Sequence, residues 1–134
     1  VIFDVGHGAG SFEWDVVEAA IEQGFEPTTI STDLHVKNLH GPVYDMPTTM
    51  SKFLYLGLSL EEAVRRTTVT PAAAIGWDVE IGTLRVGAEG DVAIFEMLTG
   101  EHRFVDAFGG VRIGSEKLVP WRTIKGGRTY LPQW

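Results

Sequence analysis

The chain has 134 residues, 44% of them hydrophobic, a formal net charge of -7 and no cysteine. That length and apolar content allow one compact unit with a buried core, and no apolar run is long enough to span a membrane. The acidic balance argues against a phosphate-backbone partner, which calls for clustered Lys and Arg, while the lack of Cys excludes disulfides and thiolate metal sites. Any metal would therefore be held by His, Asp or Glu.

The first predicted element is an apolar run, Val1-Ile2-Phe3-Asp4-Val5-Gly6-His7-Gly8, which reads as a strand ending in a histidine between glycines that permit close approach of backbone or ligand. Trp14, Val17, Ile21 and Gly24 then fall at helical spacing, with Glu13, Glu18 and Glu22 on other faces and Gly24 as the stop. A second short strand follows in Thr29-Ile30-Ser31-Thr32-Asp33-Leu34-His35, which places a lone carboxylate, Asp33, where strand gives way to loop. The strand, helix, strand length matches one right-handed crossover between parallel neighbours, so His7 and Asp33 are expected to face the same mouth. In parallel α/β proteins the carboxyl ends of strands are where ligands bind. Each residue also has a structural reading: Asp33 as a turn or cap residue, His7 as a satisfied histidine in a Gly-rich turn.

Past Asp33 the chain becomes polar and turn-rich, with His35, Asn38, His40, Gly41 and Pro42 suggesting a binding loop or a long connection. An extended continuation would point His35 to the same side as Asp33, whereas His40 and Lys37 fit solvated positions. A helix over 48–56 is predicted from Met50, Phe53, Leu54 and Leu56, then a capping box at Ser59 with Glu62, then a short helix from Thr70 and Pro71 to Gly76. From about Trp77 the period turns alternating: Leu84 with Val86, Val92 with Ile94, a hairpin through Gly109-Gly110, and a last hairpin around Gly126-Gly127. The fold class is thus α/β followed by an all-β part, with the boundary near residues 77–80.

These motifs resemble the carboxyl-terminal portion of the metal-dependent amidohydrolase superfamily, in particular its dihydroorotase-like and deacetylase-like members. The resemblance rests on Phe3-Asp4-Val5-Gly6-His7-Gly8, Ser31-Thr32-Asp33-Leu34-His35, Gly41-Pro42-Val43-Tyr44-Asp45 with Met50-Ser51-Lys52, Thr70-Pro71-Ala72 through Gly76, and Gly82 through Phe95. Gly90 departs from the alanine usual in the last motif but keeps a small residue. The resemblance implies that residues 1–78 are the last two strands and helices of a (β/α)8 barrel, and residues 79–134 the carboxyl-terminal share of a small β-sandwich.

It further implies that Asp33 ligates a divalent metal, usually zinc, with one or two ions in the complete enzyme, and takes the proton from the attacking water. His7, His35, Gly41, Pro42 and Tyr44 are expected to contact substrate or shape its pocket; should the strand count be one short, His7 would instead be the strand-six metal ligand. The implied reaction is hydrolysis of an amide, imide or ester in a small molecule; the open edges of two barrel strands predict a homo-oligomer or pairing with the missing part, the lack of Cys is compatible with a cytoplasmic protein, and no nucleic-acid or membrane partner is expected. The chain starts with Val inside a strand and without a leader, so it reads as truncated and inactive alone. Two rivals stay open: a scaffold protein that keeps the fold without the metal, and an independent small α/β domain binding a metabolite at His7 and Asp33.

Overall fold

In the computed structural model, which describes residues 1–132, the elements run β1 (Asp4–Gly6), α1 (Trp14–Glu22), β2 (Thr29–Ser31), α2 (Met46–Tyr55), α3 (Leu60–Thr67), α4 (Val69–Ala74), β3 (Val92–Val105), β4 (Val111–Lys125) and β5 (Arg128–Tyr130). Gln133 and Trp134, the end of the expected 79–134 unit, lie outside the described residues. β1 and β2 pair in parallel, with Asp4 opposite Thr29, Val5 opposite Ile30 and Gly6 opposite Ser31. A parallel pair cannot be joined by a tight turn, so α1 serves as the crossover. The expected strand, helix, strand unit is therefore present.

The centre of the molecule is α2, in which seven successive residues from Pro47 to Phe53 are buried. A helix buried all round belongs to a core, and any polar group it carries must find a partner there. Ser51 Oγ donates to the Pro47 carbonyl and accepts the Leu118 N–H at 2.8 Å, which ties the helix to β4. Phe53 joins Phe12, Trp14, Ile30 and Phe104 in one apolar cluster, and Met50 joins Ala63 and Leu118 in another. Each large side chain so buried contributes about 1.5–3 kcal/mol. The helical part and the β-rich part thus share their packing through α2, while residues 77–91 form the turns that connect them.

β3, β4 and β5 form one antiparallel sheet, with register shifts between Ile94 and Phe95 and between Thr99 and His102. Gly114 lies in β4 against Phe104, where a Cβ would come within 2.7 Å of the ring. Only glycine permits that approach. The tip of the β3–β4 hairpin docks on the segment before α1: Ala107 N–H donates to Phe12 O at 2.9 Å, and Trp14 Nε1 donates to Gly110 O at 3.1 Å. No helix among the described residues is long and apolar enough to cross a membrane.

Local expectations differ from the structure at five places, the first being that β1 begins at Asp4 and the chain does not start inside a strand. α2 begins at Met46 rather than Thr48, because Asp45 caps it by accepting the Thr48 N–H at 2.7 Å and Pro47 fits the first turn. Ser59 caps α3 as expected, but Glu62 turns to Arg65 and Arg66 instead of reaching back. α4 starts after Thr68, so Thr70 lies inside the helix and its hydroxyl accepts from Arg65. Leu84 and Val86 belong to a run of turns and bends, and they are 79% and 104% exposed.

Candidate functional site

The parallel ladder continues past both strands: His7 N–H donates to Ser31 O at 3.2 Å and Gly8 N–H to Thr32 O at 3.0 Å. Successive residues of an extended chain point to opposite faces, which separates the two groups expected at one mouth. Gly6 and Gly8 lie on one face, and Asp33 stands over them. A Cβ on Gly8 would come within 2.8 Å of Asp33 Oδ2, and one on Gly6 within 3.7 Å of the Asp33 Cβ. Gly8 makes room for the carboxylate, while a Cβ on Gly6 would meet Asp33 only in ordinary contact. His7, between the two glycines, is turned the other way and has no exposure to solvent.

Asp33 leaves the strand end with φ of +48°. An aspartate tolerates this left-handed conformation better than most residues, and such backbone concentrates at functional sites. The turn directs its side chain outward, so Asp33 is exposed. Because Asp33 breaks the extended path, the expected reason for placing His35 beside it does not apply. The two are linked instead through Asn38, whose Oδ1 accepts the His35 N–H at 2.8 Å and whose Nδ2 donates to the Asp33 carbonyl at 2.9 Å.

The rest of this loop folds on the same asparagine. Gly41 and Tyr44 both donate backbone N–H to Asn38 O, at 3.0 and 3.2 Å. The Gly41-Pro42 bond is cis, and Tyr44 adopts φ of +62° with its ring over Gly41. Gly41, Pro42 and Tyr44 therefore form one folded unit next to Asp33 and His35 along the chain. His35 Nδ1 accepts the Lys37 N–H at 3.2 Å, so the neutral ring carries its proton on Nε2. His40 and Lys37 are exposed, as expected.

Beneath the site lies a group that sequence reasoning left out of the site, Lys52. It is fully buried, and its ammonium donates to His7 Nε2 at 2.5 Å, Pro42 O at 2.9 Å and Val105 O at 2.6 Å. Three donors meet three acceptors, the full capacity of an ammonium. The His7 ring stacks on Phe12 at 4.6 Å, and its Nδ1 is 2.9 Å from Gly8 O. Since Nε2 must accept from Lys52, the His7 proton sits on Nδ1 and is donated to Gly8. Burial pushes Lys52 down to about 8, opposed by the Asp106 charge, so the side chain is still an ammonium at neutral pH.

Asp106, 4% exposed, accepts N–H groups from Trp14, Phe108 and Gly110 at 3.1, 2.8 and 2.7 Å. Burial acts to raise its carboxyl, and those backbone donors outweigh it and hold it below the usual carboxylate range. It thus fixes the hairpin tip to the start of α1 and adds a negative charge near Lys52.

Burial, and then the Lys52 charge, push His7 from 6.5 to about 4. Between those values the unfolded chain binds a proton that the folded chain refuses. The contribution of His7 to stability is therefore full above pH 6.5 and is lost as pH falls towards 4. The expected loss is roughly 2–3 kcal/mol, read as a drop in urea midpoint across that window and absent from a His7→Phe variant. An equally steep drop in that variant would assign the acid limb to other groups.

Among the described residues no group of three or more His, Asp or Glu side chains could hold a metal ion. A catalytic zinc takes about three protein ligands, so these residues alone do not fit one. Asp33 is placed to give a single ligand, and His7 is not, because both its ring nitrogens are engaged. A surface depression lined by Thr99, Gly100, Glu101 and residues 113–116 of the sheet contains no candidate site residue.

A parallel strand pair joined by a crossover helix, with an aspartate at one strand end and a small antiparallel sheet beside it, is the arrangement the amidohydrolase resemblance implies. Residues 84–130 match the family described as the deacetylase-like composite domain. A deacetylase of Enterococcus faecalis is 37% identical over 131 residues, which are 97% of this chain and 35% of that protein. The crystal structure of an adenine deaminase matches with a TM-score of 0.91 at 37% identity, covering 98% of this chain and 36% of the other. That of a dihydroorotase matches with a TM-score of 0.84 at 36% identity, covering 96% and 34%. The chain belongs to the amidohydrolase superfamily as a deacetylase-like, dihydroorotase-like member and covers a carboxyl-terminal part of it. It spans about a third of the length of these relatives.

Proposed function

We propose that the full-length protein is a metal-dependent hydrolase that cleaves a C–N bond of an acylated or cyclic amide, or an imide or ester, in a small molecule. The observation that carries this reading is Asp33: a carboxylate at the carboxyl end of a parallel strand, turned outward by left-handed backbone over two glycines. Support comes from relatives whose names, deacetylase, adenine deaminase and dihydroorotase, point to hydrolysis at carbon–nitrogen bonds.

In this reading Asp33 takes the proton from the attacking water and passes it to the leaving nitrogen. His35, with its proton on Nε2, donates a hydrogen bond to a substrate oxygen. Gly41, Pro42 and Tyr44 shape the pocket wall, and His7 acts from below by holding the Gly8 carbonyl. A divalent metal, usually zinc, would supply an acidified water and a polarised carbonyl. Asp33 would be one ligand of that metal, the others coming from segments outside this chain.

The test is metal content and turnover of the full-length protein on N-acyl and cyclic amide substrates. Bound divalent metal with turnover, both lost on chelation and regained with zinc, is the expected result. A folded protein with neither would favour the scaffold reading and remove the catalytic one.

A further inference from the structure

Asn38 is fully buried, although its loop neighbours Val36, Lys37, Leu39 and His40 are exposed. Burying an amide is unfavourable unless its polar atoms are bonded, and here each of them is. The side chain accepts from His35 N–H and donates to the Asp33 carbonyl; the backbone N–H donates to His35 O at 3.0 Å, and the carbonyl accepts from Gly41 and Tyr44. One residue is therefore bonded to Asp33, His35, Gly41 and Tyr44. Its side chain reaches back five residues to Asp33, beyond the span of the local Asx turn that is the ordinary use of a loop asparagine.

We propose that Asn38 is a positioning residue: by binding the Asp33 carbonyl and the His35 N–H, it holds as one unit the backbone that carries the Asp33 carboxylate and the His35 ring. It rests on the reading of Asp33 as the reacting carboxylate. The chemistry of the side chain explains why asparagine is required. An aspartate would keep the acceptor for His35 but turn a second oxygen towards the Asp33 carbonyl. A serine has one polar atom and cannot span both partners, and a glutamine is a methylene too long. Only a short planar amide presents an acceptor and a donor a fixed distance apart. What the clamp delivers is complementary: a carboxylate that accepts a proton at Asp33, and an N–H donor at His35 Nε2.

The test uses the full-length protein with Asn38→Ala, Asn38→Asp and, as a control, Lys37→Ala, whose side chain is exposed and holds neither group. Asn38→Ala is expected to lower kcat about 10–100-fold with KM little changed, as loss of a supporting hydrogen bond does at such centres. It should also accelerate hydrogen exchange at the His35 amide. Asn38→Asp is expected to lose kcat while the His35 amide stays protected, because that acceptor is retained. Lys37→Ala should match wild type in both measurements. Lower thermal stability with kcat of the folded enzyme intact would reduce Asn38 to a structural residue and overturn the proposal, as would unchanged exchange at His35 in Asn38→Ala. A wild-type protein without turnover would instead remove the hydrolase reading, and with it the catalytic role of Asn38.

Discussion

In the full-length protein, Asp33→Asn is expected to lower kcat by about 10²–10⁴-fold, the range over which a positioned proton acceptor contributes. The same change should move stability by no more than about 0.5 kcal/mol. Both halves follow from geometry. Asp33 is exposed, and its hydrogen bond to Asn38 is made by the backbone carbonyl, which asparagine keeps. The φ of +48° is also one that asparagine tolerates, so no strain is added. The side chains have nearly the same volume, so the fit above Gly6 and Gly8 is preserved. What changes is that an amide cannot take a proton from water. Alanine is a poorer probe, because it adds backbone strain of about 1 kcal/mol at a left-handed position. Turnover on N-acyl and cyclic amide substrates, beside urea unfolding of the same samples, separates the two effects. An Asn variant with wild-type kcat would show that Asp33 is a cap residue and not the proton acceptor.

Asp33 was legible in the sequence because its signal is local: a β-branched run stops, and a carboxylate follows where a strand must end. The parallel pair was legible for a related reason, since the length between the runs leaves room for one crossover helix. What the sequence could not indicate was which way His7 points. That depends on a single-residue alternation in a short strand, where slipping by one residue exchanges the two faces. Glycines beside His7 permit close approach of backbone or ligand, and what approaches Gly8 is the Asp33 carboxylate.

The structural roles of Lys52 and Asn38 are not legible for a different reason. A lysine in a helix and an asparagine in a loop are ordinary, and what distinguishes them here is complete burial. The burial of Lys52 arises from elements far apart in the chain, since its partners are His7, Pro42 and Val105. A weak sign existed: Lys52 lies directly before Phe53 and two residues after Met50, inside the stretch that supplies the core. Leu84 and Val86 failed in the opposite sense. They have the alternation of a strand but no partner strand among the described residues, and a strand without pairing has no hydrogen bonds to hold it.

Lys52→Met is expected to destabilise the protein by about 3–5 kcal/mol, far more than its modest change in size suggests. Methionine fills nearly the same space, so the loss arises from polarity. Pro42 O, Val105 O and His7 Nε2 each lose a donor, and an unsatisfied buried acceptor costs about 1–3 kcal/mol. Asp106, 4% exposed, also loses its nearby cation. The three acceptors belong to β3, the Gly41-Pro42 loop and the His7 turn, so this one ammonium ties the sheet to both walls of the site. Lys37→Met, at an exposed position, should stay within about 0.5 kcal/mol. The pH dependence supplies a second readout with a definite sign. Lys52 lowers the folded-state pKa of His7, so its removal lets that pKa rise towards 6.5 and narrows the window in which acid destabilises the protein. The variant should therefore be less stable than wild type at pH 7, yet lose less of its remaining stability between pH 6.5 and 4. Urea titrations at both pH values measure this directly. A wild-type acid limb in Lys52→Met would mean that the His7 nitrogen does not sense the ammonium, and that the buried lysine acts only through the two carbonyls.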